Sequence, residues 1–167
     1  MTVYKKLTIG LLLLLGNICY AQSDSTWNQK PKIKFSGFLD VFYAYDFNQP
    51  QTDFRQTFFY NEFNLNLGIL KASIEHTKYR ANLAMQAGTY SNDNYAAEPG
   101  LLKNVFEANV GISLNKKNNL WLDAGIFSSP IGFESAISID NWTLTRSLCA
   151  ENSPYYLSGA KLTFNPN

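Results

Sequence analysis

Hydrophobic and polar side chains alternate through residues 33–47, which read IKFSGFLDVFYAYDF. Successive side chains of a β-strand point to opposite faces, so apolar side chains such as Leu39 would share one face. Lys34, Asp40 and Asp46 would lie on the other face. A membrane helix would have to bury these charges in hydrocarbon, so we predict a strand. A strand of about ten residues, tilted near 45°, rises roughly 25 Å, which matches the apolar band of a membrane β-barrel.

The same alternation predicts five further strands, at residues 60–74, 79–88, 106–114, 120–127 and 155–164. In the second predicted strand Leu67 and Ile69 share the apolar face, and the apolar positions change parity from Leu70 onward. One inserted residue exchanges the two faces of a strand, so we predict a bulge or a strand end just after Ile69. In the fourth predicted strand Phe106 is assigned to the apolar face.

The connections between the predicted strands are long, short, long, short and long. The long ones cover residues 48–58, 91–103 and 128–154. Antiparallel strands joined in sequence place every second connection at the same end of the sheet. Outer-membrane barrels have long loops at one end and short turns at the other. We therefore predict an all-β fold, an antiparallel up-and-down transmembrane β-barrel.

Aromatic side chains collect near the predicted strand ends, where the two membrane interfaces would favour them. At one end these are Phe35, Tyr79, Trp121 and Phe164, and at the other Tyr45, Phe59, Tyr60, Tyr90 and Tyr156. A soluble β-sandwich would turn its apolar faces toward each other and would not sort its loops by length. The membrane prediction is therefore favoured.

The first 21 residues have the pattern of a secretory signal peptide. Lys5 and Lys6 precede an apolar run over residues 7–15, and the small residues Cys19 and Ala21 mark a cleavage site. The apolar run is too short for a membrane helix. We therefore predict that the protein is exported.

Cleavage after Ala21 leaves residues 22–32 as a flexible periplasmic lead-in and residues 33–167 as the predicted barrel portion. It removes two of the 14 basic residues and none of the 13 acidic ones, which leaves a net charge of −1. That balance gives no electrostatic case for nucleic acid. Cys149 is the cysteine that remains, so no intramolecular disulfide can form.

The candidate catalytic chemistry is sparse. His76 is the single histidine of the sequence, and it falls in a predicted short turn, far from the serine-rich third long loop. We predict it to be a solvated turn residue. One histidine and one cysteine make no metal site, and Asn92-Asp93-Asn94 lacks the acidic spacing of a calcium loop. We predict no catalytic, cofactor-binding or metal-binding residues, and therefore no enzyme.

Residues 120–164, LWLDAGIFSSPIGFESAISIDNWTLTRSLCAENSPYYLSGAKLTF, resemble the β-barrel porin-2 (OmpL-like) family of Gram-negative outer membranes. The segments YRANLAMQAGTY at residues 79–90 and FSGFLDVFYAYDF at residues 35–47 are similar to the same family. The resemblance implies a pore-type outer-membrane barrel and carries over no catalytic or ligand-binding residue. It also implies a longer chain that ends in a closing strand, commonly with a terminal aromatic residue.

Charged side chains on the predicted polar faces are the candidate pore lining. They are Lys34, Asp40, Asp46, Glu62, Arg80, Glu107, Asp123 and Lys161. Rings of charge on a channel wall tune which solutes pass. The alternative is that these charges pair with one another across neighbouring strands, and both can hold at once.

The third long loop is the longest, and Ser128-Ser129-Pro130 resembles a helix start. We predict that this loop folds inward and narrows the pore. Glu134, Asp140 and Arg146 would then line the constriction.

Together these patterns predict an outer-membrane porin, a water-filled channel for passive diffusion of small polar solutes. Its expected partners are outer-membrane lipid and those solutes. The alternatives are a structural or adhesive barrel with a plugged lumen and binding loops, and, with less support, an outer-membrane hydrolase. The smallest single-chain barrels have about eight strands, so six predicted strands lead us to expect the N-terminal part of a longer barrel. A homo-oligomeric barrel, to which several copies donate six strands each, is the rival arrangement.

Overall fold

The computed structural model describes residues 25–45, 47, 62–143 and 146–166. In the first of two compact units, Met1–Lys30, the described part contains a 3₁₀ turn at Ser25–Asn28. The predicted signal peptide, Asp46, Phe59 and Tyr60 lie outside the described residues. The second unit, Pro31–Asn167, contains the sheet and its loops.

Within the described residues, six strands form one antiparallel sheet, in which each strand pairs with its neighbours in the chain. The strands are β1 (Lys32–Tyr43), β2 (Phe63–Glu75), β3 (Tyr79–Ala87), β4 (Val105–Ser113), β5 (Leu120–Ser128) and β6 (Tyr156–Phe164). The predicted strands are confirmed, with ends displaced by a few residues. The antiparallel neighbour-to-neighbour order is the one that the alternating loop lengths predict.

The register assigns the strand residues to two faces, because directly paired residues point to the same side. Large apolar side chains lie exposed on one face, which we call the apolar face: Leu39 is 75% exposed, Leu70 76% and Val110 63%. The opposite face, which we call the polar face, carries the paired residues Asn82 and Asn109. An exposed apolar face of this kind is typical of a surface that contacts lipid or another protein.

A bulge in β2 lies earlier than predicted. The register shifts between Asp40 and Val41 of β1, and this inserts Asn66 into β2. Leu67 and Ile69 therefore turn to the polar face, where they are buried. The prediction of a bulge is confirmed, but its position after Ile69 and the assignment of both residues to the apolar face are wrong. The alternating pattern gave the wrong face for these two residues because loops cover the polar face at this height along the strands. The side chains beneath the loops are therefore apolar.

A second register shift lies between Ala84 and Met85 of β3, and it corresponds to one extra residue in the paired strand β4. It inserts Phe106, which turns to the polar face and is buried there. The predicted place of Phe106 on the apolar face is therefore wrong. One inserted residue again exchanges the two faces.

The aromatic residues assigned to the two predicted girdles differ in exposure, and the girdles themselves stay a prediction. Phe35 and Phe164 are exposed at the short-turn end of the sheet. Trp121, by contrast, is buried on the polar face, and Tyr90 is buried in the core. Tyr156 packs against that core. Their positions near strand ends therefore come from packing against other protein groups.

The described long loops contain short helices. The second long loop, residues 88–104, contains α1 (Thr89–Asn94) and a 3₁₀ turn. The third long loop, residues 129–155, contains another 3₁₀ turn and α2 (Leu148–Glu151). Among the residues that the structure describes, no helix is both long enough and apolar enough to cross a membrane.

The helix start predicted at residues 128–130 is wrong. Residues 131–133 form a bend, in which Gly132 has a φ of +82°. That left-handed conformation is incompatible with a continuing α-helix and suits glycine. The helix of this loop begins instead after Ser147, whose hydroxyl accepts a hydrogen bond from the N–H of Ala150.

The core of the described chain lies on the polar face, toward the long-loop end. Its buried members are Leu67, Ile69, Ala84, Tyr90, Tyr95 and Phe106. Tyr90 and Tyr95 come from the second long loop, while Ile137 and Tyr155 of the third long loop pack against the cluster. Two loops therefore cover the polar face at this end, while the rest of it carries charged and amide side chains together with the buried Trp121.

Candidate functional site

The candidate site is the polar face together with the loops that cover it. The register places these predicted pore-lining residues on the polar face: Lys34, Asp40, Arg80, Glu107, Asp123 and Lys161. Glu62 immediately precedes β2 and is exposed. Asp46 lies outside the described residues. That these side chains line a pore stays a prediction.

An ion pair between Arg80 of β3 and Asp123 of β5 crosses the intervening strand β4. Arg80 Nε donates to Asp123 Oδ1 at 2.7 Å, and Nη2 donates to Oδ2 at 2.5 Å. Gly111 of β4 lies between them in the register, and a Cβ there would lie 2.1 Å from Asp123 Oδ1. Only glycine leaves room for this bridge. The guanidinium carbon also lies 4.4 Å from the ring centre of Trp121, which adds a cation–π contact.

A second ion pair crosses β3 in the same way. Lys71 Nζ of β2 lies 2.6 Å from Glu107 Oε2 of β4. Ala84 of β3 lies between them in the register and is buried. A small side chain at the middle position again lets two long side chains meet above it.

Hydrogen bonds extend the Lys71–Glu107 pair into a network. Ser73 Oγ donates to Asn82 Oδ1 at 2.9 Å, and Asn82 Nδ2 donates to Asn109 Oδ1 at 3.1 Å. Asn109 Nδ2 then donates to Glu107 Oε1 at 2.9 Å. Three strands are thus linked across the polar face by side chains whose polar groups have partners, as low-dielectric surroundings require.

Arg80 and Asp123 do pair, as the alternative interpretation of the predicted charges expected, but across the intervening strand β4 and not between neighbouring strands. Lys34 also pairs, at 2.6 Å, with Glu75. Sequence reasoning missed Lys71 and Glu75, although alternate positions counted on from the change in parity would have placed both on the polar face. The wall carries charges of both signs that largely neutralise each other.

The third long loop and the polar face border an open cavity of about 510 Å³. Lys71 and Glu107 line it from the sheet. Glu134, Asp140 and Arg146, the predicted constriction residues, line it from the loop. The structure therefore brings these three residues together around one cavity, beside the Lys71–Glu107 pair.

The loop side of the cavity is braced by Glu134. Its carboxylate accepts hydrogen bonds from both the hydroxyl and the backbone N–H of Ser147. These bonds, with a smaller contribution from the charge of Arg146, hold the pKa of Glu134 below its usual value. Glu134 therefore closes the loop on itself as well as lining the cavity.

The prediction that His76 is a solvated turn residue is wrong. It is buried in the β2–β3 turn, stacked on Tyr79 with ring centres 4.2 Å apart, and its Nδ1 accepts a hydrogen bond from the N–H of Lys78. It lies at the short-turn end of the sheet, opposite the third long loop. In the described part of the chain, no three His, Cys, Asp or Glu side chains are grouped so as to hold a metal ion.

An antiparallel sheet with an exposed apolar face and an ion-paired polar face is the wall of a membrane β-barrel. The family model described as Putative beta-barrel porin-2, OmpL-like, matches residues 32–167. The chain therefore belongs to this family of outer-membrane β-barrel porins. Comparison with curated proteins gave no match, and neither did comparison with solved structures.

Proposed function

We propose that the protein forms a water-filled channel in the outer membrane, through which small polar solutes diffuse passively. The observation that carries this proposal is the division of the sheet into two faces. Large apolar side chains such as Leu39, Leu70 and Val110 are exposed on one face. The other face holds the Arg80–Asp123 ion pair and the hydrogen-bonded pair Asn82 and Asn109. Lipid satisfies the first face, and water with its dissolved solutes satisfies the second.

The charge pattern bears on which solutes would pass. A wall in which Arg80 pairs with Asp123, and Lys71 with Glu107, has little net field along it. Fixed charges of one sign are what make a pore prefer cations or anions. The channel is therefore expected to admit polar solutes with weak discrimination by charge and to rely on width for its selection.

The proposal is tested by conductance of the intact protein in planar bilayers, in a Cys149→Ser background. Cysteines are placed at neighbouring positions on opposite faces: Asn82→Cys and Lys161→Cys on the polar face, Leu83→Cys and Leu162→Cys on the apolar face. A charged, water-soluble thiol reagent should lower the conductance of the first two variants and leave the second two unchanged. Absence of conductance from folded, inserted protein would refute the channel. Equal responses at both faces would refute the assignment of the wall.

A plugged barrel is the second candidate, because the third long loop lies on the polar face. Ala136, Ile137 and Tyr155 pack against the core there. If the loop seals the lumen, the protein conducts only after the loop is shortened. Strand number also separates the two candidates, since about eight strands leave a filled interior and sixteen or so leave a channel.

A further inference from the structure

The second and third long loops meet at the side chain of Arg146. Its guanidinium carbon lies 5.1 Å from the ring centre of Tyr90 and 5.4 Å from that of Tyr155. Tyr90 belongs to α1 in the second long loop, and Tyr155 ends the third. Glu151 of α2 pairs with the same guanidinium at 2.6 Å. Arg146 therefore contacts aromatic rings from both loops while its charge is neutralised by its own loop.

A cluster of tyrosines extends this contact. The rings of Tyr95 and Tyr156 are stacked, with centres 5.5 Å apart and planes 12° apart. Tyr90 and Tyr155 meet edge to face, with centres 6.1 Å apart. The hydroxyl of Tyr156 donates a hydrogen bond to Glu98 of the second loop. Edge-to-face and offset arrangements of this kind are the favourable ones for aromatic rings.

The second long loop is itself fixed to the sheet. Tyr90 and Tyr95 are buried in the core with Leu67 and Ile69 of β2. Gln86 of β3 also donates a hydrogen bond to the carbonyl of Lys103, near the end of this loop. The sheet thus holds the second loop, and the second loop holds the third through Arg146 and the tyrosines.

Arginine suits this position better than lysine would. A planar guanidinium can lie against two rings and still form an ion pair with a carboxylate, whereas an ammonium is a compact and strongly hydrated charge. The Arg146 side chain is only 11% exposed, so little of it remains for a passing solute. Its charge is taken up by Glu151, which argues against a role as a free cation in a constriction.

We propose that Arg146 fastens the third long loop to the second, so that the two loops narrow the passage as one body. Arg146 then determines the largest solute that passes, through the position of the loops and not through its charge. This inference deepens the proposed function and rests on it. The second loop, and Tyr90 in particular, becomes part of the constriction.

The test compares Arg146→Ala, Arg146→Lys and Tyr90→Leu in the intact protein, with Tyr90→Phe as the matched control that keeps the ring. Conductance in planar bilayers and the size of polyethylene glycol excluded from the pore are measured for each. Arg146→Ala and Tyr90→Leu should each raise conductance, by roughly 1.5- to 2-fold, since a wider passage carries more ions. The conductance of Arg146→Lys should lie between those of the wild type and Arg146→Ala, and the conductance of Tyr90→Phe should match that of the wild type. The double variant Arg146→Ala/Tyr90→Leu should show no greater effect than either single one.

Two outcomes would overturn the proposal. A changed cation-to-anion permeability ratio in Arg146→Ala, with an unchanged size limit, would make Arg146 a charge that lines the pore. Additive effects of Arg146→Ala and Tyr90→Leu would show that the two residues act separately.

A distance measurement tests the fastening independently of conductance. Nitroxide labels on Cys149 and on Asn92→Cys, both exposed, report the separation of α2 and α1. With Arg146 present, the distance between the two labels should have one narrow distribution. In Arg146→Ala this distribution should be broad. A narrow distribution in Arg146→Ala would overturn the proposal even if the protein conducts. If the wild-type protein conducts nothing, the proposed channel is refuted. The label-to-label distance then still tests whether Arg146 holds the two loops together.

Discussion

Gly111 is the residue on which the bridge between β3 and β5 depends, because any Cβ at this position meets Asp123 Oδ1 at 2.1 Å. Gly111→Ala should therefore separate Arg80 from Asp123 and leave a carboxylate that is 2% exposed without its partner. We expect the free energy of unfolding, measured by denaturant titration in lipid vesicles, to fall by about 3 kcal/mol. Gly37→Ala is the control, since its Cβ would meet nothing closer than 3.4 Å. Equal losses for the two variants would contradict the bridge.

The two classes of ion pair on the polar face should differ in strength. Arg80→Met strands the buried Asp123, and we expect a loss of about 3 kcal/mol, part of which Asp123→Asn in the same chain should restore. Lys34→Met breaks a pair whose side chains are 47% and 52% exposed, and it should cost much less than Arg80→Met. Unfolding titrations of the three variants measure the difference. A loss for Lys34→Met as large as that for Arg80→Met would show that burial does not set the strength of these pairs.

Tyr95 gives the loop cluster a dependence on alkaline pH. Burial raises its pKa to about 12 from the ordinary 10.0, with the Gln86 side chain acting against the shift. Because the folded state favours the neutral phenol, its contribution to stability is complete below pH 10 and is lost as the pH rises toward 12. The tyrosinate absorbance of the wild type minus that of Tyr95→Phe should rise near pH 12. A rise near pH 10 would mean that Tyr95 is solvated.

At the scale of the elements, alternation was enough to predict every strand of the sheet, because each strand separates an apolar environment from a polar one. It failed at the two bulges. Leu67 and Phe106 are apolar residues that face the polar side, where they pack with residues of the second and third long loops, outside their own strands. The alternation of residues within a strand gives no information about contacts with other parts of the chain.

The candidate site, like the strands, could be predicted from the sequence only in part. The charged residues of the polar face follow from parity, but their pairing does not, since Arg80 and Asp123 lie on strands that are not adjacent. Their contact depends on Gly111, which looks like an ordinary strand glycine in the sequence. That the third long loop folds inward was predicted from its length and stays a prediction, whereas the contact of Arg146 with Tyr90 was not predicted.

The third long loop should control the width of the passage. Ser135 and Asn141 close one part of it, since the Asn141 side chain both accepts from and donates to the Ser135 backbone at 2.7 Å. Deleting residues 131–141 removes this part, including Ile137, which packs against the core. We expect higher single-channel conductance for the deletion and an unchanged value for Trp142→Ala, whose side chain is fully exposed. Unchanged conductance after the deletion would remove the loop from the constriction.

At the scale of the whole molecule, the two faces of the sheet need different surroundings. Membership of the outer-membrane porin family and the exposed apolar face both call for lipid on one side of the sheet. The ion pairs and amide network call for water on the other, because charged side chains on a lipid-facing surface are destabilising.

Nitroxide labels on the intact protein in lipid bilayers test this arrangement most directly. Labels at Leu83, Val110 and Leu122, on the apolar face, should collide readily with oxygen, which concentrates in hydrocarbon, and rarely with a water-soluble nickel chelate. Labels at Asn82 and Lys161, on the polar face, should show the reverse. A nickel-accessible environment, or one closed to both reagents, at Leu83, Val110 and Leu122 would contradict the account.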